Sequence, residues 1–543
     1  LSLFLRRSIR RILLTSLTAS IAVSNILGVQ LKAAERVEFH FEGMTIPIPI
    51  DELNLWKDDI NDKNVDELLV GSEDNDLFFW LNLLGFESRE ALSNFLETPL
   101  IKDKSMARQL MRSWAGKKLL DEISDLVTLD QDRTGTKVFN TLENLLENQE
   151  QVSLIDLLKE LPAEVIHFDL DGWVEVISTW RDELKKQQKL LLDLRRLSNK
   201  TKLVELENFS NTGLKETLKE TMKVTVEHRY EPLLIQVWKP VSRSTTRSNW
   251  IVFMPGLGGD PNHFEWLARS LSHQGWEVVV IDHPGSNAKA MYSLVLGRDP
   301  LPGSAEVFSY RLSDLKAVIN AKEKGLLNIK GENIVLMGHS LGALISFMAS
   351  GASPQIGLAE RCDYVLNNLS ITNLSRILQC QVLNIPLPNP PRIDNLDAIV
   401  GINSFGNLLW PDFSSLKINV PVFLTGGTFD LITPAITEQL GLLLSTRKNN
   451  FSRALIIEGA SHFSPIRVQD KLEKAIENDL YQLSDALVGT HPFSVQSLLA
   501  SEIIRFLDNL EKGKELNVST NNATTKLIFH VLDQSTTSKI LNN

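Results

Sequence analysis

The sequence predicts an α/β protein: a mostly parallel sheet with helices on both faces, preceded by a mainly helical N-terminal domain. Three observations carry this. From about Val224 onward, fully apolar strand-like runs alternate with helical ones, the pattern of parallel strands buried on both faces. A glycine-flanked serine, Gly338-His339-Ser340-Leu341-Gly342, joins one of those strands to an apolar helix. Upstream, apolar residues recur at helical spacing instead.

At 543 residues the chain exceeds one ordinary domain, so two domains with flanking segments are expected. Its 43% hydrophobic and 23% charged residues, with mean hydropathy -0.05, exclude both a membrane bundle and a disordered chain. Lys and Arg number 56 against 67 Asp and Glu, a formal charge of -11, which argues against a nucleic-acid partner.

Residues 1–34 read as a signal peptide or membrane anchor. Arg6, Arg7, Arg10 and Arg11 precede an acid-free apolar stretch from Ile12 to Val29, then Leu31-Lys32-Ala33-Ala34, which is the charged, apolar, small-residue order of an export segment. An exported, periplasmic or membrane-associated protein is the expectation, with an ordinary core helix as the third reading.

Residues 35–215 form the expected N-terminal domain. The alternation in VEFHFEGMTIPIPI, residues 37–50, predicts a hairpin about Glu42-Gly43. Helical periodicity follows over 76–84, 91–96, 109–123, 138–146 and 154–161, with Ser153 and Asp156 as a helix start and Pro162 as its stop. One or two amphipathic helices are expected from Trp173 to Leu197.

The second domain, 216–512, is expected to begin with strands KVTVEHRY and LLIQVWKP, followed by WIVFM and WEVVVID, the helix Phe308 to Lys322, and the strand NIVLM. A helix after Ser340, the strands DAIVGINSF and VPVFLTGG, a helix from Pro434 and the strand ALIIEG complete the alternation. Two segments exceed ordinary connections: 352–395, a candidate cap, and 466–492, an insertion that could border the pocket. The polar segment 513–543 reads as a loosely held tail, except for the apolar run Leu527 to Leu532.

The chemistry is carried by residues at the ends of these strands. A serine at a strained strand-to-helix turn needs small residues two before and two after it, which Gly338 and Gly342 supply. That context is a nucleophile elbow, and it narrows the fold to that of the α/β hydrolases. The following N–H, that of Leu341, would face a developing oxyanion at the helix start. A second donor, Leu257 N–H, is expected from Pro255-Gly256-Leu257-Gly258-Gly259 after WIVFM, with Gly256 and Gly258 letting the backbone approach the substrate. A phosphate-binding turn is the alternative for this loop, although no P-loop lysine follows. Asp430, after VPVFLTGG, is the candidate acid, with simple helix capping as the alternative. His462, after ALIIEG, is the candidate base, and the chain order Ser, Asp, His is that of the fold.

Cys362 and Cys380 are the two cysteines. Outside the cytoplasm they are candidates for a disulfide, with two buried thiols as the alternative. The acidic stretches at 130–135 and 169–172 lack the glutamate of a calcium loop, and the cysteines lack zinc spacing. The expected chemistry calls for no metal or cofactor.

With AERVEFHFEG, PGLGG, IDHPGSNA, GHSLGA, NLSRILQC, GTFDLITP and EGASHFS in place, the chain resembles a cyanobacterial family of dienelactone-hydrolase-like α/β hydrolases with an extra N-terminal helical region. More distantly it looks like the platelet-activating-factor acetylhydrolase group. The resemblance implies Ser340, Asp430 and His462 as a triad. The chain departs where many relatives carry His-Gly, since Pro255 precedes Gly256, and the dienelactone name gives no substrate because those enzymes use cysteine at the elbow. The expected function is hydrolysis of lipid-like or small acyl esters. Acyl transfer or thioester cleavage is the rival on the same triad, and a binding or scaffold protein the rival without catalysis.

Overall fold

The computed structural model describes residues 34–50 apart from 42, then 99–101, 127–129, 136–149, 152–169, 172, 186, 189–197, 202–204, 217–241, 247–290, 304–367, 373, 375–384, 393–412, 415–430, 432–466, 491–524 and 526–542. Residues 1–33 of the segment expected to direct export, the helices expected over 76–84, 91–96 and 109–123, and most of the 466–492 insertion lie outside the described residues. The chain divides into two compact units, the first made of residues 1–102 and 120–173 and the second of 103–119 and 174–543.

In the first unit the expected hairpin is present as β1 (Arg36–Phe41) and β2 (Met44–Pro49), antiparallel, with Gly43 at φ 79° in the turn. Beside β1 runs β4 (Val165–Asp169), parallel to it, and β3 (Val127–Leu129) closes the order β2-β1-β4-β3. Val37, Ile48, Leu129 and Ile166 are buried, as alternation along a one-sided sheet requires. The helix Leu154–Glu160 starts as the sequence predicts: Ser153 and Asp156 form a capping box, satisfying two backbone donors reciprocally. The helix Thr136–Asn148 is also where periodicity placed it. The described residues of this unit thus include a four-stranded sheet, of which the sequence revealed the hairpin.

The second unit is built on one sheet whose strands, numbered in chain order, are β5 (Thr217–Val224), β6 (Leu233–Pro240), β7 (Asn249–Met254), β8 (Glu277–Ile281), β9 (Asn333–His339), β10 (Leu396–Ile402), β11 (Val422–Gly427), β12 (Arg453–Ile457), β13 (Ser519–Ala523) and β14 (Ile528–Leu532). With a two-residue strand at Lys202–Leu203 on one edge, the order runs β13-β14-β12-β11-β10-β9-β7-β8-β6-β5. From β8 to β12 neighbouring strands are parallel; β6 and β5 on one side and β14 and β13 on the other are added antiparallel, and Lys202–Leu203 pairs parallel to β13 at the edge. The central strands are apolar on both faces because a core lies on each side. Trp250, Leu336, Ile399 and Leu424 point into one, Phe253, Val335, Val400 and Phe423 into the other. This is the α/β-hydrolase fold.

Leu190 and Leu194, in the helical run 189–196, pack into the core of the second unit, so the described part of the segment expected to close the N-terminal domain belongs with the second unit. Two expectations are corrected. The first strand is Thr217–Val224, ending where the sequence placed its start. It is an edge strand in which Glu220 breaks the alternation of Leu218, Met222 and Val224 with polar residues, and most of its side chains are exposed. The tail is structured: β13 and β14 extend the sheet, Phe529 and Val531 are buried, and Asp533 caps the helix Gln534–Leu541. The helix expected from Pro434 is present, N-capped by that proline, as a π-helical stretch, Ala435–Leu440, continued as α over Gly441–Ser445.

Candidate active site

The triad and oxyanion candidates follow the C-terminal ends of parallel strands, the edge at which open α/β sheets place their sites. Ser340 follows β9 and precedes the helix Leu341–Ala349. Its backbone sits at φ 52°, ψ -119°, a conformation that costs a non-glycine residue roughly 1–3 kcal/mol. The surrounding packing enforces it, because every residue of the following helix is buried. A Cβ at Gly338 would stand 2.3 Å from the Gly342 carbonyl carbon, and one at Gly342 would stand 1.9 Å from Met254 O. Strand and helix can therefore meet only through glycines, and the sequence supplies both.

The serine hydroxyl lies 3.0 Å from His462 Nε2, and His462 Nδ1 lies 3.0 Å from Asp430 Oδ2. The structure thus brings Ser340, His462 and Asp430, which span 122 residues of sequence between serine and histidine, into one hydrogen-bonded row. Ser340 retains 7% exposure and His462 5%, so the row is shielded from bulk water. The carboxylate Oδ2 also accepts from Asn403 Nδ2 at 2.7 Å and the Thr433 hydroxyl at 2.6 Å, and Oδ1 accepts from the N–H groups of Ile432 and Thr433 at 3.0 and 2.7 Å. Burial alone would raise this acid. The electrostatic interaction with His462 and the hydrogen bonds from His462, Asn403 and Thr433 outweigh it and hold Asp430 below its ordinary value. Asp430 does cap the turn that follows, and the same side chain also holds the imidazole.

His339 is buried against the His462 ring, with centroids 4.9 Å apart, and its Nε2 lies 3.1 Å from the His462 carbonyl oxygen. Burial, reinforced by the neighbouring His462, pushes His339 down to about 3. It is neutral, so Nε2–H donates to that carbonyl and fixes the backbone carrying the base.

The Pro255–Gly259 loop follows β7 and lies against the serine: a Cβ on Gly256 would come within 2.9 Å of His339 Nδ1 and 3.1 Å of Ser340 Cβ. Gly258 has φ 71° and donates its N–H to Ser286 O at 2.8 Å. Leu257, the expected donor, projects a side chain that is 38% exposed. The Leu341 N–H opens the helix after Ser340, where first-turn donors have no acceptor within the helix.

Arg311 lies on the helix Ser304–Glu323 and is fully buried. It donates from Nη1 to Pro255 O (2.5 Å), from Nη2 to Gly256 O (2.8 Å) and Ser286 O (3.2 Å), and from Nε to Ser286 Oγ (2.9 Å). One guanidinium thus fixes the loop facing the serine. Three residues later, the buried Asp314 accepts from Arg229, His228 and His283. Burial would raise this acid, but these hydrogen bonds hold it well below the ordinary carboxylate range. Arg311, Asn403, Thr433 and the positioning contact of His339 were not found from sequence. Asn403 carried one signal, an asparagine directly after a strand, and it adopts φ 46°, which asparagine tolerates better than most residues.

Cys362 and Cys380 form a disulfide with Cα atoms 5.6 Å apart, joining the helices Leu358–Asn367 and Ser375–Cys380 inside the 352–395 segment. This segment is anchored to the helix after Asp430. The buried Glu438 accepts from Asn373 and Gln379 of the segment and from the N–H groups of Gly406 and Asn407.

Two family models match the chain. Residues 33–169 match one described as alpha/beta hydrolase of unknown function (DUF1400), and residues 249–356, which contain the elbow, match one described as alpha/beta hydrolase fold. Comparison with curated proteins gives no match. Both descriptions agree with the fold and suggest hydrolase activity.

Proposed function

We propose that the chain is a serine hydrolase of carboxylic esters, acting on lipid-like or small acyl esters through an acyl-enzyme. The observation that supports this most is the continuous row from Ser340 Oγ to His462 Nε2 and from His462 Nδ1 to Asp430, each step 3.0 Å. Nε2 of the neutral imidazole accepts the hydroxyl proton as Oγ attacks the ester carbonyl, while the carbonyl electron pair moves onto oxygen. The N–H groups of Leu341 and Leu257 are assigned to that oxygen, each contributing about 3 kcal/mol in the transition state. As the tetrahedral species collapses, its C–O bond to the alcohol breaks and the imidazolium gives the alcohol its proton. Water, deprotonated by His462, then attacks the acyl-serine, releasing the acid and restoring Ser340. The 352–395 segment is assigned the choice of substrate, and the basic-then-apolar order of residues 1–34 supports an exported or membrane-associated enzyme.

A panel of 4-nitrophenyl esters of increasing acyl length tests the reading. The wild-type protein should hydrolyse part of the panel and Ser340→Ala none of it, and an added alcohol acceptor should leave the free acid as the main product. A folded wild-type protein no faster than Ser340→Ala on every ester would refute it, and predominant formation of a new ester would replace hydrolysis by transfer.

A further inference from the structure

The first unit carries a constellation that the esterase reading does not use. Glu38 and His40 lie two apart on β1, hence on one face of the sheet, and His167 on the parallel strand β4 is the register partner of Glu38. His40 Nε2 stands 3.1 Å from His167 Nδ1, and His167 Nδ1 stands 3.3 Å from Glu38 Oε2. Among the described residues, one ligand atom from each of the three lies within 4.8 Å of the others. We propose that Glu38, His40 and His167 bind a zinc ion.

Zinc–nitrogen and zinc–oxygen bonds near 2.1 Å at tetrahedral angles place ligand atoms about 3.4 Å apart, close to the two spacings observed. Two imidazoles and one carboxylate form a borderline-soft set that favours zinc over magnesium or calcium. With three protein ligands, a fourth position is left for water. Each of two ligands also has an outer partner. Thr45, opposite His40 on the hairpin, places Oγ1 3.1 Å from His40 Nδ1, where it can accept from Nδ1–H in the tautomer that turns the Nε2 lone pair toward the metal. Arg36 Nε holds Glu38 Oε1 at 3.0 Å, leaving Oε2 toward the histidines. Such outer contacts set the tautomer and orientation of a ligand. The Glu38 side chain is 16% exposed and His167 30%, so the site is sheltered yet reachable. Bound there, zinc cross-links strands whose histidines are 127 residues apart in sequence. That separation is why no motif marks the site: each histidine alone looks like an ordinary strand residue.

The test is calorimetric titration of the full chain with zinc chloride, after chelator treatment and exchange into chelator-free buffer. The wild-type protein should bind one zinc per chain, and His40→Ala and His167→Ala should weaken binding at least 100-fold while keeping the far-UV circular dichroism of the wild type. Thr45→Val should weaken it 10- to 100-fold, the range for an outer partner, with Thr45→Ser restoring it. Cobalt(II) should give the intense visible absorption of a low-coordinate site in the wild type and lose it in Glu38→Gln. Ser340→Ala should bind zinc as the wild type does, which separates this site from the esterase reading. No zinc uptake by the wild-type protein, or uptake undiminished in both histidine variants, would overturn the proposal.

Discussion

Changing Asp430 to asparagine replaces one carboxylate oxygen by an NH2 group at nearly constant volume. The groups around that carboxylate are donors: the His462 ring, the Asn403 amide and the Thr433 hydroxyl at Oδ2, and two backbone N–H groups at Oδ1. In one orientation the new NH2 faces the two backbone donors. In the other it faces His462, and the imidazole can accept only by moving its proton to Nε2, which leaves no lone pair for the Ser340 hydroxyl. The second orientation removes the base. The first keeps the tautomer but loses the negative charge that stabilises the imidazolium, and it sets donor against donor at about 1–3 kcal/mol for each group left unpaired. Turnover is expected to slow by roughly 10³- to 10⁴-fold, equivalent to about 4–5 kcal/mol of transition-state stabilisation, with KM little changed. Stopped-flow measurement of the acylation burst on a 4-nitrophenyl ester, with the melting temperature recorded in parallel, reads both effects. An asparagine variant whose burst rate stays within tenfold of the wild type would refute the role given to this carboxylate.

Arg311→Met should slow turnover roughly 10- to 100-fold and lower the unfolding free energy by about 3 kcal/mol, since it strips donors from the buried carbonyls of Pro255, Gly256 and Ser286. Wild-type values in both steady-state kinetics and urea unfolding would contradict it. Burial pushes His283 down to about 4, with Arg311 adding to the effect. Between pH 6.5 and 4 the unfolded histidine is therefore protonated while the folded one is neutral, and stability falls with pH across that window and is complete above it. This group accounts for about 3 kcal/mol, and His339 acts in the same direction. Urea midpoints between pH 7.5 and 4.5 should decline, less steeply in His283→Gln, and a flat wild-type profile would count against the buried neutral state. Cys362→Ser should cost about 3 kcal/mol for a bridge across 18 residues, read as a lower melting temperature that reductant reproduces in the wild type. Equal melting of oxidised and reduced wild-type protein would show that the bridge contributes nothing.

The central strands were legible in the sequence because burial on both faces leaves no polar residue to interrupt runs such as residues 250–254 and 278–281. The elbow was legible because only glycine fits 1.9–2.3 Å approaches at positions 338 and 342. Asp430 and His462 could be placed by their position after strands, without any motif of their own. Supporting residues were not legible. Arg311 reads as a solvent-facing charge on a helix until the fold turns it toward the loop, and Thr433 reads as an ordinary helix-start residue. Outer strands such as Thr217–Val224 and Ser519–Ala523 carry many polar side chains because they are not buried on both faces, so local composition misleads. The Glu38, His40 and His167 cluster depends wholly on strand register and is invisible before it.

Reaction of the full-length protein with a fluorophosphonate, read by intact mass and peptide mapping, bears most directly on whether the hydroxyl at position 340 is an activated nucleophile. One adduct per chain is expected, on the peptide containing Ser340, with none in Ser340→Ala and labelling strongly slowed in His462→Gln. A folded wild-type protein that acquires no adduct, or carries it on a different serine while Ser340 stays unmodified, would contradict the account.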